Sequence, residues 1–153
     1  MTRVALLVSS VGGVGRAPIA PGTAGSAAAL ALFALIRLAD SPVLEIAAIL
    51  FLLLVGTWSA GVAERVLGRS DPGQVVIDEV VGLLLTLALI PVGVRGALVG
   101  FVLFRVFDII KPFPCARLEK LGGGVGIMAD DVMAGLYGNA CLRLLLWLAP
   151  SLD

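Results

Sequence analysis

Residues 49–63 read ILFLLLVGTWSAGVA and form the strongest part of an apolar run that extends from 42 to 63. Four further apolar runs lie along the chain, at 24–39, 80–94, 97–107 and 132–149. Leu, Ala and Phe dominate these runs, and none alternates with a period of two, so the pattern favours helices. Crossing a bilayer takes ~20 apolar residues. The run at 42–63 is long enough, those at the two ends are marginal, and the middle pair is short.

The composition favours a membrane protein. Of the 153 residues, 59% are hydrophobic and 14% charged, and the mean hydropathy is +1.09. An average soluble domain is about 45–50% apolar and about 25% charged. We therefore expect one all-α domain over residues 1–153, a compact bundle with four or five apolar helices in the membrane. A very apolar soluble bundle with short buried helices is the alternative. No cleavable signal peptide is expected, because the apolar run at 4–8 is too short.

The charged residues are distributed unevenly between the two sides that these helices define. If each run crosses once, segments 1–23, 64–79 and 105–131 share one side and carry most of the basic and most of the acidic residues. The positive-inside rule makes this side cytoplasmic. The topology thus predicts that nearly all polar chemistry lies on the cytoplasmic face.

Several function classes are excluded by what the sequence lacks. Without histidine there is no Ser-His-Asp triad, zinc-histidine site or phosphohistidine. Eleven basic residues balance eleven acidic ones, which leaves no excess of positive charge for nucleic acid. Cys115 and Cys141 form neither a metal motif nor a disulfide framework. Cys115 is a poor candidate nucleophile, since no histidine or convincing helix start would activate its thiol.

Two pairs of adjacent carboxylates stand where a loop meets an apolar run. Asp78 and Glu79 precede one run, and Asp130 and Asp131 precede another. Acids in a first helical turn also suit the helix dipole, which is the structural alternative. Two such pairs facing one compartment beside hydrocarbon favour a functional site instead. Because the chain has no histidine, ligands made of oxygen alone favour Mg²⁺ or a similar hard cation.

The segment 104–114 (FRVFDIIKPFP) adds two basic groups. Arg105 and Asp108 are three residues apart and share a helix face. Pro112 disfavours helical geometry at Lys111, so the helix is expected to end there. These charges form either an ion-pair network or a clamp for phosphate near a metal.

The N-terminal loop at residues 12–26 is rich in glycine and precedes a helix expected to begin near Thr23. Glycines allow close approach of a ligand, and the free N–H groups of a helix start favour an anion. Thr23 and Ser26 are also common capping residues, so an ordinary helix start is the alternative.

Four segments together carry a family resemblance. They are 18–26 (PIAPGTAGS), 71–82 (DPGQVVIDEVVG), 104–114 (FRVFDIIKPFP) and 124–135 (GVGIMADDVMAG). In this order and spacing they resemble the phosphatidylglycerophosphatase A family of bacterial lipid phosphatases. The resemblance implies an all-α fold with a central helix, in the bacterial cytoplasmic membrane. It also implies a Mg²⁺-dependent phosphatase that converts the phospholipid phosphatidylglycerophosphate to phosphatidylglycerol and phosphate.

The resemblance, together with the charge pattern, defines three sets of expected site residues. The metal ligands are expected to be Asp71, Asp78, Glu79, Asp130 and Asp131. The catalytic residues are expected to be Asp108, Asp131, Arg105 and Lys111. The substrate is expected to be bound by Arg16, Gly22, Thr23, Ser26, Arg105 and Lys111. We expect a water molecule activated by the metal as nucleophile, with covalent attack by an aspartate as the second choice.

Two other functions remain open at this point. A small membrane transporter for ions or metals also places carboxylates beside apolar helices, although it commonly shows paired halves that this chain lacks. A soluble helical phosphatase of the same family that acts on another phosphate ester is the third interpretation.

Overall fold

The computed structural model describes residues 1–149, and these residues form helices joined by short loops, with no strand among them. The α-helices, in chain order, are α1 (Thr2–Ser9), α2 (Pro21–Arg37), α3 (Pro42–Leu67), α4 (Ile77–Leu87), α5 (Val94–Ile110), α6 (Cys115–Leu118) and α7 (Gly123–Leu148). Two 3₁₀ turns lie at Val14–Arg16 and Glu119–Leu121.

Helix α4 is the centre of the bundle. It packs against α2, α3, α5 and α7, and nearly all of its side chains are buried. Leu83, Leu84 and Leu87 join Phe33 of α2 and Phe104 of α5 in the main apolar core. The predicted all-α fold with a central helix is confirmed.

Local sequence signals set the ends of the long helices. Ser41 caps α3 by accepting a hydrogen bond from the backbone N–H of Leu44 at 3.3 Å, and Pro42 occupies the first helical position. Gly68 ends α3 in the left-handed conformation, with φ at 65°. Helix α5 stops at Ile110, directly before Lys111 and Pro112, as the sequence predicts.

The C-terminal end of α4 lies inside the bundle, where its last carbonyl groups have partners on α7. The side-chain amide of Asn139 donates to the carbonyl oxygens of Leu85, Thr86 and Ala88 at 3.0–3.1 Å. The guanidinium of Arg143 donates to the Ala88 carbonyl at 3.2 Å. Carbonyl groups at a helix end need such partners when they are buried, so α7 lets α4 end within the protein.

Small residues bring α7 very close to its neighbours. A Cβ atom on Gly135 would overlap the carbonyl oxygen of Gly82 in α4, and one on Gly124 would overlap the carbonyl of Thr57 in α3. The buried hydroxyl of Thr86 also reaches across and donates to the Gly135 carbonyl at 3.3 Å. The contact between α4 and α7 is therefore one of backbone against backbone.

The start of the last helix differs from the sequence prediction. The apolar run was expected to begin a helix near residue 132, with Asp130 and Asp131 in its first turn, whereas α7 begins at Gly123. The glycines at 124 and 126 sit in the helix because they are buried against the backbone of α3 and of the 119–121 turn. Asp130 and Asp131 therefore lie inside a long helix, and the expectation of a helix start there is wrong.

One helix among residues 1–149 is long and apolar enough to cross a membrane. It is α3, with 26 residues and a mean hydropathy of 2.2 over its best window, of which 28% is buried. Leu50, Phe51, Leu54 and Trp58 are exposed on its outer face. Helix α2 is apolar but shorter. The expectation of four or five membrane spans stays a prediction.

The close approach of α7 to α4 predicts an unusual response to alanine. In a helix, replacing Gly by Ala normally stabilises by about 1 kcal/mol. We expect Gly135→Ala to destabilise the protein by about 1–3 kcal/mol instead, because the added carbon must push two backbones apart. The free energy of unfolding, measured by denaturation in detergent, checks this. Gly73→Ala is the matched control, since nothing lies within 4 Å of the added carbon. Equal stability of both variants would contradict the packing.

Candidate active site

Three carboxylates from two helices meet at one end of the bundle. Asp78 and Glu79 lie in the first turn of α4, and Asp131 projects from α7. One oxygen of each lies within 4.8 Å of the others, and both aspartates are buried. The N-terminal end of α4 carries a partial positive charge that favours the two acids on it. The structure thus brings together three of the five residues expected to bind metal.

These carboxylates lack enough polar partners of their own. The backbone N–H of Glu79 donates to Oδ1 of Asp78 at 3.1 Å, but Oε2 of Glu79 and Oδ2 of Asp131 are buried without a hydrogen bond. Burial, and then the neighbouring Glu79, raises the pKa of Asp78 well above its usual range. Burial, and then Asp108, does the same for Asp131. Buried oxygens that accept nothing and repel one another fit a hard divalent cation, which would satisfy both needs.

Arg105 and Asp108 border this group from α5. The guanidinium lies 2.6 Å from a carboxylate oxygen of Asp108 and 3.9 Å from Oε1 of Glu79. The predicted shared helix face of Arg105 and Asp108 is therefore confirmed. Both side chains are mostly buried, so the arginine stays beside the carboxylates and does not extend into solvent.

Lys111 forms a second charged group with two acids. Its ammonium donates to Asp130 at 2.8 Å and lies 3.0 Å from Glu119. Partial burial lowers the pKa of Lys111, but these two acids outweigh it and raise the pKa overall. Asp130 thus binds Lys111, and it is not part of the three-carboxylate group formed by Asp78, Glu79 and Asp131.

Glu119 was not predicted as a site residue. It lies in a 3₁₀ turn outside every recognised motif, and only the fold brings it to Lys111. Tyr137 was missed for the same reason. Its hydroxyl donates to the Phe113 carbonyl at 2.7 Å, and its ring packs against Phe107 at 5.7 Å between centroids. These contacts fasten the segment after α5 to α7 and so help to fix Lys111.

The N-terminus of α2 also reaches the three-carboxylate group. A Cβ atom on Gly22 would overlap Oε1 of Glu79 and lie 3.1 Å from Nη1 of Arg105. The hydroxyl of Ser26 is buried and donates to the Gly22 carbonyl at 3.0 Å, whereas Thr23 is exposed. The helix begins at Pro21, two residues before the expected start. Gly22 is therefore the residue of this loop that contacts the site directly.

Two of the expected site residues lie farther out, in loops. Arg16 is exposed and lines a cavity of about 530 Å³ together with Pro21 and Gln74. Asp71 is exposed in the loop before α4, within electrostatic range of Lys111 and Glu119. Both residues border the region of the site but do not enter the three-carboxylate group.

The buried aspartates predict an unusual dependence of stability on pH. Because the pKa values of Asp78 and Asp131 are raised in the folded state, metal-free folded protein holds protons that the unfolded chain has released above about pH 4. Its stability should therefore fall as pH rises above that value towards the raised pKa values. Melting in EDTA between about pH 5 and pH 7.5 measures this, and added Mg²⁺ should restore stability at the higher pH.

Asp131→Asn is the matched variant for this experiment. It removes one of the repelling charges and should flatten the pH dependence in EDTA. It should also reduce the stabilisation by Mg²⁺. If wild type and Asp131→Asn showed the same pH dependence in EDTA, the proposed repulsion between Asp131 and the other buried carboxylates would be wrong.

Comparisons with known proteins identify the relatives of this chain. A sequence model of the family described as Phosphatidylglycerophosphatase A matches residues 7–146. Among curated proteins, the chain is 49% identical over 73 residues to Phosphatidylglycerophosphatase A of Haemophilus influenzae and 33% identical over 92 residues to that of Escherichia coli. It is 38% identical over 104 residues to a Bacteroides thetaiotaomicron protein provisionally named a phosphatidylinositol-3-phosphatase.

These alignments cover 46%, 59% and 66% of this chain, in the order given. They span 45%, 54% and 65% of the relatives' own lengths. No solved structure matches significantly. Since the family match extends over most of the chain and includes all four recognised segments, this protein belongs to the Phosphatidylglycerophosphatase A family.

Proposed function

We propose that this chain is a Mg²⁺-dependent lipid phosphatase that hydrolyses phosphatidylglycerophosphate to phosphatidylglycerol and phosphate. The observation that carries the proposal is the group of Asp78, Glu79 and Asp131 beside the guanidinium of Arg105, in which one buried oxygen of Glu79 and one of Asp131 lack partners. Family membership and the names of two relatives support the same reaction.

Asp78, Glu79 and Asp131 are the residues that would hold Mg²⁺. Their donors are carboxylate oxygens alone, the type that Mg²⁺ prefers. When bound, the metal would supply charge neutralisation for the phosphoryl oxygens and the acidity that activates water. Asp71 and Asp130 are assigned supporting roles: Asp130 holds Lys111, and Asp71 adds negative charge at the edge of the site.

Arg105 is the proposed main phosphate ligand. Its planar guanidinium offers several N–H donors, and Asp108 holds it in place at 2.6 Å. The first turn of α2 lies beside it, and its backbone N–H groups favour an anion. The missing side chain of Gly22 leaves the room that Glu79 and Arg105 occupy beside the start of α2. Thr23 and Arg16 lie on the outer side, where the rest of the head group would enter.

Lys111 is the proposed second cation for the phosphate. An ammonium group has three N–H donors, of which Asp130 and Glu119 take two. The third can reach a phosphate oxygen. Ser26 is buried and donates to Gly22, so its proposed part is to shape the start of α2, and its expected direct contact with substrate stays a prediction.

The proposed reaction is hydrolysis of a phosphate monoester by water. A water oxygen bonds to phosphorus as the bond from phosphorus to the lipid oxygen breaks, and the water proton ends on the departing alcohol. Asp108, which lies beside Asp131 but outside the three-carboxylate group, is the proposed carrier of that proton. Attack by an aspartate is the second choice, and reduction with borohydride after brief exposure to substrate would trap the acyl phosphate it forms.

The proposed setting is the bacterial cytoplasmic membrane, with the carboxylates facing the cytoplasm. The apolar helix α3 and the exposed apolar side chains on its surface support a membrane setting, and the cytoplasmic orientation rests on the distribution of basic residues in the sequence. A phospholipid substrate fits such a setting, because its head group can reach the charged site while its chains stay among apolar helices.

A phosphatidylinositol 3-phosphate substrate is the second candidate, favoured by the relative with the longest of these alignments. Both lipids present a phosphate monoester, which carries about two negative charges near neutral pH. An ion transporter is not favoured, since the family and the named relatives are phosphatases.

Phosphate release by purified protein tests the proposal. We expect release from phosphatidylglycerophosphate in mixed micelles with Mg²⁺, and loss of activity in EDTA. Asp78→Asn should lower kcat by about 10²-fold or more, since it removes a ligand from a site that stabilises charge. Arg105→Lys should lower kcat/KM, because an ammonium replaces the forked donors.

Asp40→Asn is the control that is matched in chemistry. Asp40 is exposed near the opposite end of α2, so its variant should retain full activity. Faster release from phosphatidylinositol 3-phosphate would favour the second candidate. Full activity in EDTA, or in Asp78→Asn, would overturn the proposed site.

A further inference from the structure

An apolar pocket separates α2 from α5 at a distance from the charged site. Its volume is about 360 Å³. Leu30, Phe33 and Ala34 line it on α2, and Ala97 and Leu98 line it on α5. Ala34 and Leu98 remain exposed, so the pocket opens sideways from the bundle. Nothing in the proposed chemistry of the head group uses this space.

The pocket lies along the same two helices as the phosphate-binding groups. Leu98 precedes Arg105 by seven residues, which places it about 10 Å away along α5 and on the same face. Leu30 follows Gly22 by eight residues, about 12 Å along α2. The charged end and the apolar pocket thus lie at different levels along the same two helices.

We infer that this pocket binds one acyl chain of the lipid whose phosphate occupies the charged end. The inference rests on the proposed function. One leaflet of a hydrocarbon core of about 30 Å contributes about 15 Å, so a pocket that begins about 10 Å from Arg105 along α5 lies within reach of an acyl chain in that leaflet. A chain that enters sideways from the bilayer would fix the lipid while its head group reaches the carboxylates.

Among the described residues that line the pocket, Arg37 alone is charged. Its guanidinium lies 4.0 Å from Glu45 and stacks over the ring of Phe33 at 5.9 Å. The charge is therefore paired at the far end of the pocket, beyond the part lined by Leu30 and Leu98. An acyl chain meets only the apolar part.

Two substrates with the same head group test the inference. One is dioleoyl phosphatidylglycerophosphate in mixed micelles, and the other is the water-soluble dihexanoyl form. Ala34→Trp should fill the pocket and raise KM for the dioleoyl substrate by about tenfold or more, since several buried CH₂ groups lose their contacts. The kcat/KM for the dihexanoyl substrate should stay within about twofold of wild type. Leu98→Asn should also raise KM for the dioleoyl substrate, because it places a polar group on the α5 wall of the pocket.

Ala31→Trp is the matched control, because Ala31 is exposed on α2 and does not line the pocket. Phosphatidylglycerol with a photoreactive group near the end of one chain gives a readout independent of hydrolysis. It should label α2 and α5 in wild type and in Ala31→Trp, but not in Ala34→Trp. Equal KM values and equal labelling in the two tryptophan variants would overturn the inference and leave the proposed function intact. Labelling without phosphate release from either substrate would support the pocket and reject the proposed function.

Discussion

The structure depends on the burial of like charges at the end of its central helix. Asp78 and Asp131 are buried beside Glu79, where water cannot neutralise them. Such an arrangement is unfavourable unless protons or a cation balance it. The protein offers part of that balance itself, through the N-terminal end of α4 and the guanidinium of Arg105. The rest of the negative charge would be balanced by a bound ligand. The three-carboxylate group therefore costs the metal-free protein stability and is also the best candidate for the active site.

The backbone contact between α4 and α7 makes this convergence possible. Asp131 can approach Asp78 because Gly82 and Gly135 remove the side chains that would otherwise hold the two helices apart. Asn139 lies about two turns after Asp131 on α7 and donates hydrogen bonds to the last carbonyls of α4. A single helix therefore closes α4 at one end and completes the acidic group at the other. The glycine contact that packs α7 against α4 therefore also positions the three carboxylates.

Residue type and local spacing determine the features of the fold and site that the sequence predicts correctly. The helical pattern, the helix end at Lys111 and the pairing of Arg105 with Asp108 all follow from neighbours in the chain. The start of α7 did not follow, because helical glycines are explained only by the helix they pack against. Glu119 was equally invisible, since its partner is brought to it by tertiary structure. Adjacency in the chain also failed to predict that Asp130 and Asp131 belong to different groups. Asp130 pairs with Lys111, whereas Asp131 joins Asp78 and Glu79.

The shortness of α4 has a consequence for how a lipid would lie against the protein. Eleven residues extend about 16 Å, roughly half the thickness of a hydrocarbon core of about 30 Å. In a bilayer, the acidic end and the end held by Asn139 and Arg143 then lie within one leaflet's depth of each other. Under the proposed function, a lipid whose head group reaches the acidic end would keep its chains beside α4 within that same leaflet.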